Sequence, residues 1–434
     1  MITIGPLAPR LLIGLLLAVP GAASAATPAG SSVRGGAATG ADGLILTGSA
    51  EVLYDSNQLR SAVRSPLNPN GRRDDFRYSP AVSAVYNRST GRLSLTANAV
   101  VGRDFFQYNS YLNRNRYIAG GALTYHGGGG CQASVNGNYA HRQNGVLGAN
   151  SGIVDPLVPP DDVGVVIDNV QTATGYGINA GCGSPSGRLT FGGGYSHSSL
   201  SNGSPARRFG DSDGDTFTGN VGIGILQPGQ LSLNGSYSTI AYPNRRSAFG
   251  NGTVVPPQLL NSGVKTYRLG VSFSRPIGTR LSGTIGASFL HADPSGGQAP
   301  YSSPAYNLGL TYTAGPRLTF ALNGSRDILA STSAGALYRV VDQVQLSSSY
   351  SLGSSITIDA NLGLIQNNYK QPFSIPGEVA RRNETTKTAG LGVTYAPRRL
   401  YDVSLFVNQT FRTSDPSVYN YDSTKVSATL AIHI

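Results

Sequence analysis

The sequence predicts an all-β protein: a transmembrane, antiparallel, up-and-down β-barrel of about 18 strands, with both termini on the periplasmic side. Sixteen strands is the alternative count. Three observations carry this. Apolar residues recur with period 2 over almost the whole chain, with no sustained 3.6-residue period and no helix-length apolar run past the N-terminus. A short turn recurs at intervals of roughly 40 to 50 residues, as in Gly91-Arg92-Leu93, Gly187-Arg188-Leu189 and Gly315-Pro316-Arg317-Leu318. Looser copies are Gly229-Gln230-Leu231, Gly278-Thr279-Arg280-Leu281 and Pro397-Arg398-Arg399-Leu400. Finally, short turns alternate with long polar loops, the connection pattern of outer-membrane barrels. Composition agrees. Glycine supplies 57 of 434 residues, charged residues are only 13%, and tryptophan is absent, which disfavours helical soluble domains.

The first 25 residues read as a signal peptide. Arg10 is the basic n-region, residues 11–19 are the apolar h-region, and Ala23-Ser24-Ala25 fits the A-x-A cleavage pattern. Residues 26–42, rich in Gly, Ala, Ser and Thr, read as a flexible periplasmic lead-in. The barrel is assigned to residues 43–434. Secretion followed by strands that are apolar only on alternate residues points to the outer membrane of a Gram-negative bacterium, because a helix-length apolar segment would be held at the inner membrane.

The strands follow in order. Strand 44–54 precedes a long loop, 55–75. Hairpins 76–87 with 93–107 and 116–126 with 131–142 come next, the second across four glycines. Another long loop, 143–168, carries three prolines. Then come 171–182 with 189–200, 216–226 with 231–242, and 265–275 with 281–291. The last hairpins are 305–313 with 318–329, 338–351 with 355–369, and 385–395 with 400–411. Strand 423–434 ends the chain. Alternation is blurred in 338–351.

Each strand has one apolar and one small polar face. Leu231, Leu233 and Tyr237 alternate with Ser232, Asn234 and Ser236. Tyr306, Leu308, Leu310 and Tyr312 alternate with Asn307, Gly309 and Thr311; Ile356, Ile358, Ala360 and Leu362 alternate with Thr357, Asp359 and Asn361. A soluble sandwich would turn the apolar face inward. Here Tyr86, Tyr125, Tyr312, Tyr350 and Tyr395 sit on it just before short turns, where an aromatic girdle belongs. The polar face therefore lines the lumen, at Ser232, Asn234, Ser236, Asn307, Thr311, Thr357, Asp359 and Asn361. Eighteen strands at ~4.8 Å spacing and ~40° tilt make a barrel on the order of 35 Å across.

The chain is basic, with net charge +11. Much of the charge is arginine in the outer connections: Arg72, Arg73, Arg207, Arg208, Arg245, Arg246, Arg381 and Arg382. Their forks suit phosphate and carboxylate, so lipopolysaccharide and outer-membrane lipid are the expected partners. The signal peptide removes nucleic acid from consideration. No catalytic or metal constellation emerges, and no cofactor is implied: the five histidines lie on separate strands and lack metal spacing. The run Gly210-Asp211-Ser212-Asp213-Gly214-Asp215 reads as an acidic turn, with calcium binding as the alternative. The reading is of a non-enzyme.

Cys131 and Cys182 are the two cysteines. Cys131 opens a strand just after the four-glycine turn, and Cys182 closes the next just before the 184–188 turn. Antiparallel pairing brings these ends level on the apolar side, so a disulfide is expected in an oxidising compartment. Closing a loop of about 50 residues is worth about 4 kcal/mol on the chain-entropy model.

Tyr54-Asp55-Ser56-Asn57, Tyr78-Ser79-Pro80, Gly91-Arg92-Leu93 and Gly102-Arg103-Asp104-Phe105-Phe106 resemble the β-barrel porin family that includes outer-membrane barrels of exopolysaccharide gene clusters. The likeness is specific over about residues 43 to 130. It implies a barrel channel tied to polysaccharide export, with a polysaccharide and its export machinery as partners. A general diffusion porin for small hydrophilic solutes is the alternative.

Overall fold

The computed structural model describes residues 42–58, 72–143, 169–183, 189–225, 229–245, 262–331, 336–372, 380–398 and 400–434. The signal segment and nearly all of the lead-in lie outside these residues, as does most of the 143–168 loop.

Eighteen antiparallel strands form one closed sheet. They are β1 (Gly43–Asp55), β2 (Asp75–Thr90), β3 (Leu93–Phe106), β4 (Arg114–His126), β5 (Gln132–Gln143), β6 (Val170–Cys182), β7 (Leu189–Asn202), β8 (Ser212–Gly224) and β9 (Gln230–Ala241). There follow β10 (Gly263–Ile277), β11 (Leu281–Pro294), β12 (Tyr301–Ala314), β13 (Leu318–Ala330), β14 (Tyr338–Leu352), β15 (Ile356–Tyr369), β16 (Asn383–Arg398), β17 (Tyr401–Asp415) and β18 (Tyr421–His433). Each strand pairs with its sequence neighbours, and β1 pairs with β18 to close the ring. The seam runs from Asp55↔Lys425 to Thr47↔His433, and Leu46 and Ile434 exchange backbone hydrogen bonds of 3.1 and 2.8 Å. Both terminal strands thus meet at the short-turn rim.

Several strands run past their expected ends. β8 begins at Ser212 rather than 216, so residues 212–215 are strand and not an acidic turn. β12 begins at Tyr301 rather than 305. Polar residues prolong the ladder here, because backbone pairing needs no apolar side chain outside the bilayer.

The recurring turn has a structural reason. Its glycine adopts positive φ at Gly91 (56°), Gly278 (65°) and Gly315 (70°), a conformation that side chains penalise. The residue just before the return strand then serves as an anchor. The carbonyls of Arg92, Arg280 and Arg317 accept the N–H of His126 (2.7 Å), Thr313 (2.7 Å) and Ser351 (2.8 Å). Each turn is thereby stitched to the end of a neighbouring strand, which levels that rim. At the same rim Cys131 and Cys182 are joined, with S–S 2.08 Å. They continue the β5–β6 register by one position beyond Gln132↔Gly181.

The faces are inverted relative to a soluble sandwich. Leu233, Leu269, Ile285, Leu362 and Leu405 are each more than half exposed on the outer wall. Two tyrosine levels bound this apolar band: Tyr78 and Tyr86 on β2, Tyr117 and Tyr125 on β4. Eight residues at ~3.3 Å along a strand tilted by ~40° separate the levels by roughly 20 Å, close to the height of an outer-membrane apolar band. The upper level is continuous over β6 to β11. Tyr176, Tyr195, Phe217, Tyr237, Tyr267 and His291 touch in a chain, with centroid separations from 5.0 to 6.4 Å.

Candidate channel and its constriction

The inner wall is built from small residues that lean on one another. Ser232, Asn234, Ser236, Asn307, Thr311, Thr357, Asp359 and Asn361 all fall on the strand face opposite the exposed apolar residues. Asn234 donates to Ser272 at 2.9 Å. Inner asparagines lie flat over glycines of the adjoining strand: a Cβ on Gly177 would sit 2.9 Å from Asn136 Oδ1, and one on Gly120 would sit 3.0 Å from Asn98 Oδ1. Glycine therefore gives the lining room to lie flat.

Toward the long-loop rim the lining becomes charged. Arg77 Nη2 donates to Glu51 Oε2 at 2.7 Å. Asp104 accepts from Ser79 at 2.6 Å and faces Arg116 Nη1 at 3.8 Å. Asp55 accepts from Ser423 at 2.7 Å and faces Lys425 Nζ at 3.8 Å. On the next arc Glu384 takes Arg412, Tyr369 OH at 2.9 Å and Arg381 Nη1 at 3.7 Å. Arg268 meets Asp327 at 2.9 Å. The belt spans β16 to β4 and recurs on β10 and β13. Cations and carboxylates pair across it. Sequence reading missed the belt because each strand contributes only one or two charges. Their inward parity and similar height were the available signal.

Two of the outer-side arginines need correction. Arg245 is 1% exposed and Arg381 is 4% exposed; neither is a solvated loop cation. Arg381 stacks on Tyr419 at 4.1 Å, Arg245 on Tyr242 at 4.1 Å. Burying a guanidinium is costly without polar partners; Arg245 Nη2 reaches backbone carbonyls and Arg381 Nη1 lies 3.7 Å from Glu384. Arg72 and Arg382 are exposed, Arg72 over the Tyr108 ring at 3.9 Å. Arg73 is half-buried and Arg208 exposed. Arg246 and the Arg207 side chain lie outside the described residues.

The acidic run holds itself. Asp211 accepts from Asn202 N (2.7 Å), Asn202 Nδ2 (2.9 Å) and Asn244 Nδ2 (2.7 Å). Asp215, on the outward face, accepts from Tyr195 at 2.7 Å and lies 3.0 Å from His197 Nδ1. Among the described residues no cluster could hold a metal ion.

The lumen is narrowed by one hairpin. The β12–β13 ladder stops at Asn307↔Ser325, although both strands continue toward the long-loop rim. Above that point β13 keeps its ladder to β14 but has none to β12, while β14 stays paired with β15 as far as Arg339↔Tyr369. Ile328, Leu337, Tyr338 and Val340 pack onto Val264, Leu290, Ala292 and Ala305, which point inward from β10, β11 and β12. The blurred alternation of residues 338–351 is thus explained: Tyr338 to Val341 are all buried, one face on the barrel wall and the other toward the lumen. A clasp from the β9–β10 connection holds the hairpin. Tyr242 OH donates to Leu337 O at 2.5 Å and accepts from Ser331 N at 3.0 Å. Arg245 Nη2 donates to Ala336 O at 2.9 Å and Ser331 O at 3.4 Å. Burial raises the Tyr242 pKa above its ordinary value, outweighing the opposing effect of the Arg245 guanidinium.

A closed barrel with an apolar exterior, a polar lumen and an inward constriction defines a porin-like β-barrel of outer-membrane type. Residues 258–434 match the family model described as "Putative beta-barrel porin 2". The matched segment lies beyond residues 43–130, where the sequence motifs of that resemblance stand. Among solved structures, OccK2 (OpdF) of Pseudomonas aeruginosa is similar at 12% identity and TM-score 0.46, over 90% of this chain and 97% of that one. OpdK of the same organism is similar at 11% identity and TM-score 0.44, over 90% and 99%. The siderophore receptor PirA from Acinetobacter baumannii is similar at 8% identity and TM-score 0.45, over 91% and 81%. No curated protein sequence matches this one. These likenesses concern fold alone.

Proposed function

We propose that this chain is an outer-membrane channel through which small hydrophilic solutes diffuse, with the short-turn rim in the periplasm and the long loops outside. The observation that carries the reading is the self-neutralised polar lumen. A hydroxyl and amide lining exchanges hydrogen bonds with water or sugar at little net cost. The charged belt above it pairs Arg77 with Glu51 and Arg412 with Glu384, so it presents no ring of one sign to exclude ions. The tyrosine-bounded apolar exterior supports placement in a bilayer. The chain is read as a non-enzyme on the strength of the porin-type family model it matches. Purified protein in planar bilayers should show weak ion selectivity leaning to anions, set by the basic excess at the mouth. Strong cation selectivity would refute this.

A second reading, a barrel serving exopolysaccharide export, is favoured by the sequence resemblance and by the uncharged hydroxyl and amide lining of the lower lumen. A gene deletion separates the two. Lost polymer secretion with normal small-sugar uptake selects export, and the converse selects the diffusion channel.

A further inference from the structure

The lipid-facing wall is not evenly filled. Beside the seam, β18, β1, β2 and β3 enclose an outward hollow of about 430 Å³, lined by Gly48, Ala50, Pro80, Val82, Val101 and Leu430. Two features make it. The outward side chains of β1 shrink to Gly48 and Ala50 between Leu46 and Val52. Pro80 has no N–H to give, and the β2–β3 ladder skips from Tyr78↔Phe105 to Ala81↔Gly102. Register sets the height. Gly48 pairs with Val82, midway between Tyr78 and Tyr86 and so at the centre of the apolar band. From there the hollow rises past Val101 toward Tyr78 and Phe105, on the long-loop side.

Arg103 stands at that upper end. It follows Val101 on the outward face of β3, opposite Asn115 of β4, and both side chains are exposed. Its guanidinium lies over the Phe105 ring at 5.1 Å and makes no ion pair among the described residues. Arg326, also on the outer face, is by contrast paired with Asp342 at 2.7 Å. A cation on the lipid face is unfavourable unless it reaches the interface or meets an anion. We propose that the hollow binds one lipid A molecule of the outer leaflet, with an acyl chain along Gly48, Pro80 and Val101 and a phosphate on Arg103 and Asn115. The inference rests on the membrane placement above, which sets the long-loop side outward. An apolar groove that ends on an unpaired cation fits an amphiphile with an anionic head. Lipid A carries phosphates directly above its chains, and an arginine fork suits phosphate. The volume lies in the ~300–1,000 Å³ range of sites that enclose a small molecule. The loop arginines could hold a head group alone, whereas this site recognises head and chain together.

The test titrates purified lipid A onto the folded, delipidated barrel in detergent and reads bound lipid by native mass spectrometry. Wild type should take up one lipid A per barrel. Arg103→Gln should weaken binding by roughly tenfold, the scale of a lost charge-assisted hydrogen bond. Dephosphorylated lipid A should bind wild type no better than lipid A binds that variant. Gly48→Leu fills the hollow, where an added Cβ meets nothing within 4 Å, and should weaken both lipids alike. Gly219→Leu, an equally open outward glycine on β8, should leave binding unchanged. Heat-modifiable mobility in gels verifies that each variant folds. Unchanged lipid A binding in either folded variant, Arg103→Gln or Gly48→Leu, overturns the site. Phosphatidylglycerol bound as tightly as lipid A overturns the occupant, which would then be a phospholipid. Wild type recovered with outer-membrane fractions keeps the membrane reading in both cases, and recovery as a soluble protein removes it together with the site.

Discussion

At the scale of single residues, the informative groups are buried and polar. Arg77 is 1% exposed and held by Glu51, with Asp104 and Asp55 close enough to favour its charge. Replacing it with glutamine strands Glu51 beside unbalanced carboxylates. Arg77→Gln should lower stability by about 3–5 kcal/mol, the usual result of halving a buried pair, and move the reversal potential in a salt gradient toward cations. Tyr242 makes a pH prediction. Its neutral hydroxyl is the donor to Leu337 O, and burial raises its pKa. The contribution is therefore complete below the ordinary tyrosine value of about 10 and is lost as pH rises through the raised one. In urea titrations the stability difference between wild type and Tyr242→Phe should stay constant between about pH 5 and 9. A Tyr242-dependent change inside that window would contradict the assignment. Arg245 and Arg381 show where residue-level reading of the sequence stops. In the chain they stand among loop residues and look solvated. Only the fold brings Ala336, 91 residues away, to Arg245.

At the scale of the strand, most of the architecture is legible. Period-2 alternation marks each strand and its two faces, and the glycine turns mark the hairpins. The short-range physics that sets these features acts within a dozen residues. A direct check contrasts neighbours on β9. Leu233→Lys places a charge against lipid and should cost about 2–4 kcal/mol near the bilayer midplane. Asn234→Lys points into the lumen and should leave stability nearly unchanged while altering conductance. Equal destabilisation in urea titrations of both variants would mean that the faces are misassigned. The outer half of β13–β14 is the element that alternation could not place. Its blurred pattern reports burial on both sides, but not on which side of the wall it lies. That depends on Tyr242 meeting Leu337 across 95 residues, a contact no local pattern encodes.

For the whole molecule, closure is the governing property. Every strand has two neighbours over most of its length, so unfolding must begin by breaking an intact ring. The protein should partition with outer-membrane fractions and run as a compact, fast species in unheated detergent gels, shifting on boiling. Recovery as a heat-insensitive soluble protein would refute the membrane placement. Seventeen of the strand pairings join sequence neighbours, and the ring needs one more.

That last pairing has a kinetic consequence. Hairpins form between segments a few tens of residues apart, but the seam joins Thr47 to His433, 386 positions away. Folding rate falls as contacts become less local, so the seam is the slowest contact to earn. Until β18 finds β1, both are bare edges, the state most open to pairing with another copy. Damage to the final strand, such as loss of the His433 bonds to Asp402 and Thr47, would then be felt during biogenesis. Its signature would be cross-paired multimers awaiting degradation, not smaller pores in the membrane.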